Sequence, residues 1–227
     1  RGAARGVPVI SPGDPTPGMV EITRAHLAAH AYDINLRMRD SGHVDLTTLM
    51  EVHEIDIPAE LHASGPDLVA PPMEPILVKE DENVRVTAVL VAHPPVFPSF
   101  AFRFDTERGS VVFSGDTAPS PNLVALARDA DVLVHEVFHA EGGRRVTRAV
   151  PKLGEHIDLD AMLGHILRSH TAVDEVGRVA TEANVRTLVL THFIPAQGVP
   201  DEDWLRGASA HFDGEVVVGH DLLQVGL

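Results

Sequence analysis

Fourteen histidines and no cysteine stand in this chain of 227 residues, so any metal ion it holds must rest on imidazole and carboxylate groups. Three polar groups sit where an apolar run gives out. His93 closes VRVTAVLVAH, Asp116 follows VVFSG, and His192 follows RTLVLT. Each run reads as a strand, and the ends of strands in α/β sheets are where sites assemble. Imidazole nitrogen and carboxylate oxygen are ligands for zinc, manganese or iron, and a carboxylate can bridge two ions through its two oxygens. Taken singly, each residue could merely cap a strand. The repetition of the pattern favours a shared site, with His93, Asp116 and His192 as metal ligands.

Two further groups could move protons. DVLVHEV places His135 and Glu136 after a buried run, and His170 in RSHTAVDE opens a helix that Ser169 or Thr171 could cap. A glutamate beside a histidine orients the ring and raises its basicity, which suits proton transfer to a leaving group. The alternative is a hydrogen bond that only ties a strand to a helix start. His26 and His30 in HLAAH have the i, i+4 spacing of one helical face, yet the glutamate of an HExxH zinc helix is missing. His43, His53, His62, His139, His156, His165, His211 and His220 lie in polar or amphipathic surroundings, where surface or supporting roles are expected. No GxGxxG, GxxxxGK[ST] or GxSxG string occurs, which removes support for nucleotide cofactors and a serine nucleophile.

The elements that must position these residues can be read in outline. Met19, Ile22, Leu27, Ala31, Ile34 and Met38 recur near helical spacing, predicting a helix from Pro17 to about Arg39. Residues 63–75, rich in Pro and acidic groups, predict an exposed loop between short strands. Three β-branched or alternating runs follow, VRVTAVLVAH, FPSFAFRF and SVVFSGDT. Then come a helix in PNLVALARDA, a buried strand in DVLVHEV, a helix in TAVDEVGRVATEANV, and strands in RTLVLTHF and EVVVGHD. Alternating strands and helices predict an α/β sheet packed by helices.

Eighteen Lys and Arg against thirty-three Asp and Glu give a net charge of −15, a field that opposes phosphate backbones and anionic membranes. The chain is large enough to fold without a structural metal, so a metal would serve chemistry. No run approaches the ~18 to 20 apolar residues of a membrane span, and RGAARGVPVI lacks the apolar core of a signal peptide.

HPPVFPSFAFRF, VVFSGDTAPSPNLVALARDADVLVHEV and SHTAVDEVGRVATEANVRTLVLTHFIPA together resemble the second half of metallo-β-lactamase-fold hydrolases, especially their ribonuclease Z-like branch. The resemblance implies an αββα sandwich with two divalent ions, zinc before manganese or iron, at one edge of its sheets. It makes His93 a ligand of the first ion, Asp116 the bridging carboxylate and His192 a ligand of the second. Glu136 matches the glutamate of the family's His-Glu-Ala-Thr segment, and His170 the histidine of its His-Ser-Thr segment. This chain reads HEVF and SHT there.

The family's His-x-His-x-Asp-His motif does not occur between Arg1 and Leu227. The expectation is therefore a single domain over 1–227, incomplete at its N-terminus, that alone binds metal poorly and hydrolyses nothing. PAELHASGPDLVAPPMEPILVKEDE is acidic where a transfer-RNA-gripping arm would be basic. That favours a small ester, lactone, phosphodiester or sulfate ester as substrate. A transfer RNA 3′ endonuclease and a non-catalytic protein with the same fold are the alternatives. The remaining expectations are a small-molecule partner, nucleic acid as an unlikely one, no membrane, a possible homodimer and a cytoplasmic location.

Overall fold

The computed structural model describes residues 18–61, 70–149 and 158–227. The chain divides into two compact units, Arg1–Ile57 and Pro58–Leu227.

The first unit contains α1 (Met19–Ala29) and α2 (Ala31–Ser41). The single helix expected from the sequence is broken at His30, whose backbone turns to φ −101°, ψ 7° between them. Gly18 offers no side chain to cap α1, and the Glu54 carboxylate instead accepts from the N–H groups of Met19 and Val20 at 3.0 and 2.8 Å. The α2 helix ends on Gly42 in the left-handed conformation.

The second unit is built on one seven-stranded sheet in simple sequence order. Its strands are β1 (Ile76–Glu80), β2 (Arg85–Leu90), β3 (Phe100–Thr106), β4 (Gly109–Phe113), β5 (Val132–Phe138), β6 (Thr187–Ile194) and β7 (Glu215–Val218). The first four pair antiparallel, and β4 to β7 pair parallel. Parallel neighbours need crossovers, which here carry helices: α3 (Pro121–Leu126), α4 (Ala140–Ala149), α5 (Leu159–Ser169), α6 (Val173–Glu182) and α7 (Asp201–Ala208). The core joins Val112, Leu133, Leu188 and Leu190 of the strands to Leu123, Val176, Ala180 and Trp204 of the helices.

This is the mixed α/β architecture expected, with the strands largely where their β-branched runs put them. The helices α4, α5 and α7 are additions that the sequence pattern does not announce. Residues 70–75 form no regular element, and the rest of the 63–75 loop expectation, on 63–69, lies outside the described residues, as do His62 and His156. Among the described residues no helix is long and apolar enough to cross a membrane.

Candidate metal and catalytic site

Because β2 and β4 both run antiparallel to β3, and β4, β5 and β6 are parallel, these four strands end on the same side of the sheet. His93 lies just beyond β2 and Asp116 just beyond β4. Glu136 and His192 lie near the ends of β5 and β6.

Local backbone devices aim them. Asp116 follows Gly115, whose φ is +60° and where a Cβ would lie 2.4 Å from the Phe100 carbonyl oxygen, so only glycine fits the turn. The Asp116 carbonyl accepts from Ser99 Oγ at 3.1 Å. At His192 the β5–β6 register shifts, with Glu136 opposite Thr191 and Val137 opposite Phe193. His192 is the extra residue of this bulge, with φ +44°. A bulge re-aims a side chain, and left-handed backbone at a non-glycine residue is strain of the kind found at working sites.

His170 sits between α5 and α6, and its neighbours bind the loops that carry the other residues. Ser169 Oγ donates to the Pro94 carbonyl at 2.5 Å, and Thr171 Oγ1 donates to the Thr117 carbonyl at 2.7 Å. The Thr171 carbonyl accepts from Phe138 N–H at 2.9 Å. The expected capping of α6 by Ser169 or Thr171 is not observed, because both hydroxyls are committed to this stitching and Ala172 holds the N-cap position.

The structure pairs Glu136 with His170 and Asp116 with His192, whereas His93, Asp116 and His192 are not a group whose ligand atoms all lie within 4.8 Å of one another. His170 Nδ1 lies 2.9 Å from Glu136 Oε1, with the two side chains 7% and 1% exposed. Glu136 Oε1 also accepts from Thr117 N–H at 3.0 Å. Burial pushes the Glu136 carboxyl above its ordinary value, while the His170 and Thr117 hydrogen bonds oppose that rise. His192 Nδ1 lies 3.3 Å from Asp116 Oδ1, both half exposed. The His170 ring centroid is 5.0 Å from that of His93 and 5.8 Å from that of His192.

Burial lowers the His93 pKa and so favours the neutral imidazole, the form that ligates a metal. Its Nε2 is buried without a partner. Glu136, His170 and His192 offer ligand atoms within 4.8 Å of one another, and so do His93, His165 and His170. An orphaned imidazole nitrogen beside further imidazoles and carboxylates fits a borderline divalent ion.

His165, expected in a peripheral role, is brought into this cluster. The missing signal is α5 itself: recognised as a helix, it would place His165 one turn before Ser169. His135 is wholly buried, with Nδ1 2.6 Å from the Glu136 carbonyl oxygen. Three other histidines have supporting partners: His139 Nδ1 accepts from Gly142 N–H, His211 meets Arg178, and His220 meets Asp201. The His26 and His30 rings stand 4.8 Å apart, and among the described residues no third ligand joins them.

Comparison with known proteins supplies the family. Ribonuclease Z of Mycobacterium tuberculosis (strain H37Rv) is 32% identical over 222 residues, covering 96% of this chain and 68% of the relative. Ribonuclease Z of Mycobacterium avium (strain 104) is 30% identical over 220 residues, covering 96% and 66%. The chain thus spans about two thirds of the length of these relatives. Among solved structures, a metallo-β-lactamase-fold protein of Bacillus subtilis is similar at a TM-score of 0.46 and 22% identity, over 69% of this chain and 51% of that one. No family model matches.

The sheet, the imidazoles and carboxylates clustered at its edge, and the two ribonuclease Z relatives define a hydrolase. Within that class the chain belongs to the ribonuclease Z family.

That membership overturns one expectation. A small-molecule partner, with nucleic acid unlikely, followed from the net charge of −15 and the acidic 58–82 stretch. The relatives are ribonucleases. Net charge sums the whole surface and sets the long-range field, whereas substrate contact is local, and cations held at a site invert the sign there.

Proposed function

We propose that this protein is a metal-dependent RNA endonuclease of the ribonuclease Z type that cuts transfer RNA precursors. The observation that carries the reading is the meeting of His93, Asp116, Glu136, His170 and His192 at one edge of the sheet, in a chain of this family. His93, Asp116 and His192 would hold divalent ions, zinc first. Such ions supply Lewis acidity toward a phosphoryl oxygen and the attacking water.

The chain's own residues then handle the proton. Glu136, fixed by Thr117 N–H, accepts the Nδ1 proton of His170 and sets the ring's orientation. Nε2 of His170 is thereby left to carry the proton that passes to the departing oxygen. Burial of the pair keeps bulk water from competing for that proton.

The test is incubation of the purified protein with a precursor transfer RNA carrying a 3′ trailer, with zinc and with EDTA. Cleavage at one position near the trailer junction, abolished by EDTA and by Asp116→Asn, is the expected result. Hydrolysis of small esters with the RNA left intact would overturn the reading.

A further inference from the structure

His165 on α5 has no part in the chemistry above, yet its ring faces two residues that do. Its centroid lies 5.8 Å from that of His93 and 6.1 Å from that of His170, and the His93–His170 separation is 5.0 Å. The three rings stand nearly perpendicular to one another, at 90°, 82° and 83°.

The hydrogen bonds fix which nitrogen of each ring is free. Ser169 has one hydroxyl proton, and the Pro94 carbonyl 2.5 Å away can only accept it. Ser169 Oγ is also 3.1 Å from His165 Nδ1. With its proton committed, the hydroxyl can only accept there, so His165 Nδ1 carries a proton and Nε2 is the nitrogen left for another partner. His170 Nδ1 faces Glu136 Oε1, an oxygen already accepting from Thr117 N–H, which leaves Nε2 as the nitrogen His170 offers to other partners. His93 Nε2 is buried and unpartnered, and its ring bonds otherwise only to its own backbone. The three imidazoles offer nitrogen atoms within 4.8 Å of one another, and the buried, unpartnered Nε2 of His93 is costly unless something electrophilic meets it.

We infer that His93, His165 and His170 form a three-imidazole site for a borderline divalent cation such as zinc or cobalt(II), distinct from the set made by His93, Asp116 and His192. Three neutral nitrogens and no carboxylate select against magnesium and calcium, and leave a fourth tetrahedral position open. A lone pair serves one ion at a time, so an ion here withdraws His93 and His170 from the hydrolytic arrangement. That consequence rests on the proposed function; the site itself does not. The metal then has a parked position, and excess zinc fills it.

The experiment is a zinc titration of the wild-type protein followed by long-range ¹H–¹⁵N spectra of the histidine rings, repeated on His165→Ala and Asp116→Asn. The Nε2 resonances of His93, His165 and His170 are expected to shift together, in Asp116→Asn as in the wild type. Zinc affinity is expected to fall at least tenfold in His165→Ala. If zinc moves His93 and His192 while His165 stays still, the parked site is wrong and the hydrolytic metal set stands. RNA cleavage by Asp116→Asn is scored separately, so loss of either reading is recognised without the other. The wild-type spectra decide the matter even if His165→Ala fails to fold.

Discussion

A buried carboxylate survives only where donors meet it, and Glu136 has two, Thr117 N–H and His170 Nδ1, while its Oε2 has none. Both donors converge on Oε1, which holds that oxygen in place for His170. If His170 delivers the proton to the departing oxygen, His170→Ala should lower kcat for RNA cleavage by about 10² to 10⁴ with little change in KM, the usual weight of a positioned acid. Glu136→Gln keeps an oxygen for Nδ1–H but loses the charge, so its loss should be smaller; single-turnover cleavage ranks the two variants. An Ala variant as active as the wild type would remove His170 from the chemistry. The strand-end residues are legible because polarity breaks sharply after an apolar run at His93, Asp116 and His192. His165 is not, because its significance comes from the hydroxyl proton of Ser169, a hydrogen bond no spacing encodes.

Between elements, the closest fit is where α6 crosses α7: a Cβ added at Gly177 would stand 2.1 Å from the Ala208 carbonyl oxygen. Alanine would gain about 1 kcal/mol of helix propensity. The clash is with backbone, however, so α7 must move, and overpacking of this kind costs about 1 to 3 kcal/mol. Gly177→Ala is thus expected to be destabilising despite the better helix former, and urea unfolding gives the sign. Gly115→Ala meets both a positive φ and the Phe100 carbonyl, and should cost about 1 to 3 kcal/mol while displacing Asp116. The strands β2 to β6 can be read because their β-branched runs are short and bounded by turn residues. The helix α4 cannot, since AEGGRRVTRA carries two glycines and a single large apolar residue, Val146. The break at His30 has no proline or glycine to announce it.

Across the whole molecule, the net charge of −15 points to the wrong substrate, because a sum over the surface says nothing about which groups meet at the sheet edge. Fold class survives that error, since it rests on the order of apolar runs rather than on charge. A single interior group sets a property of the entire fold in turn. His135 is wholly buried, its Nδ1–H directed at the Glu136 carbonyl, and burial pushes its pKa from the ordinary 6.5 down to about 4. Between those values the unfolded chain takes up a proton that the folded chain refuses. The stabilisation is therefore complete above about pH 6.5 and is lost as the pH falls toward 4, by an amount on the order of 3 kcal/mol. Glu136 works in the opposite sense above its ordinary 4.5, its raised pKa favouring the folded chain at the acid end. Comparison with His135→Leu cancels that contribution. Urea unfolding in EDTA from pH 7 to 4 should show the wild type losing about 3 kcal/mol more than His135→Leu across the window. Parallel stability curves for the two proteins would mean that His135 takes its proton inside the fold, and that burial does not hold it neutral.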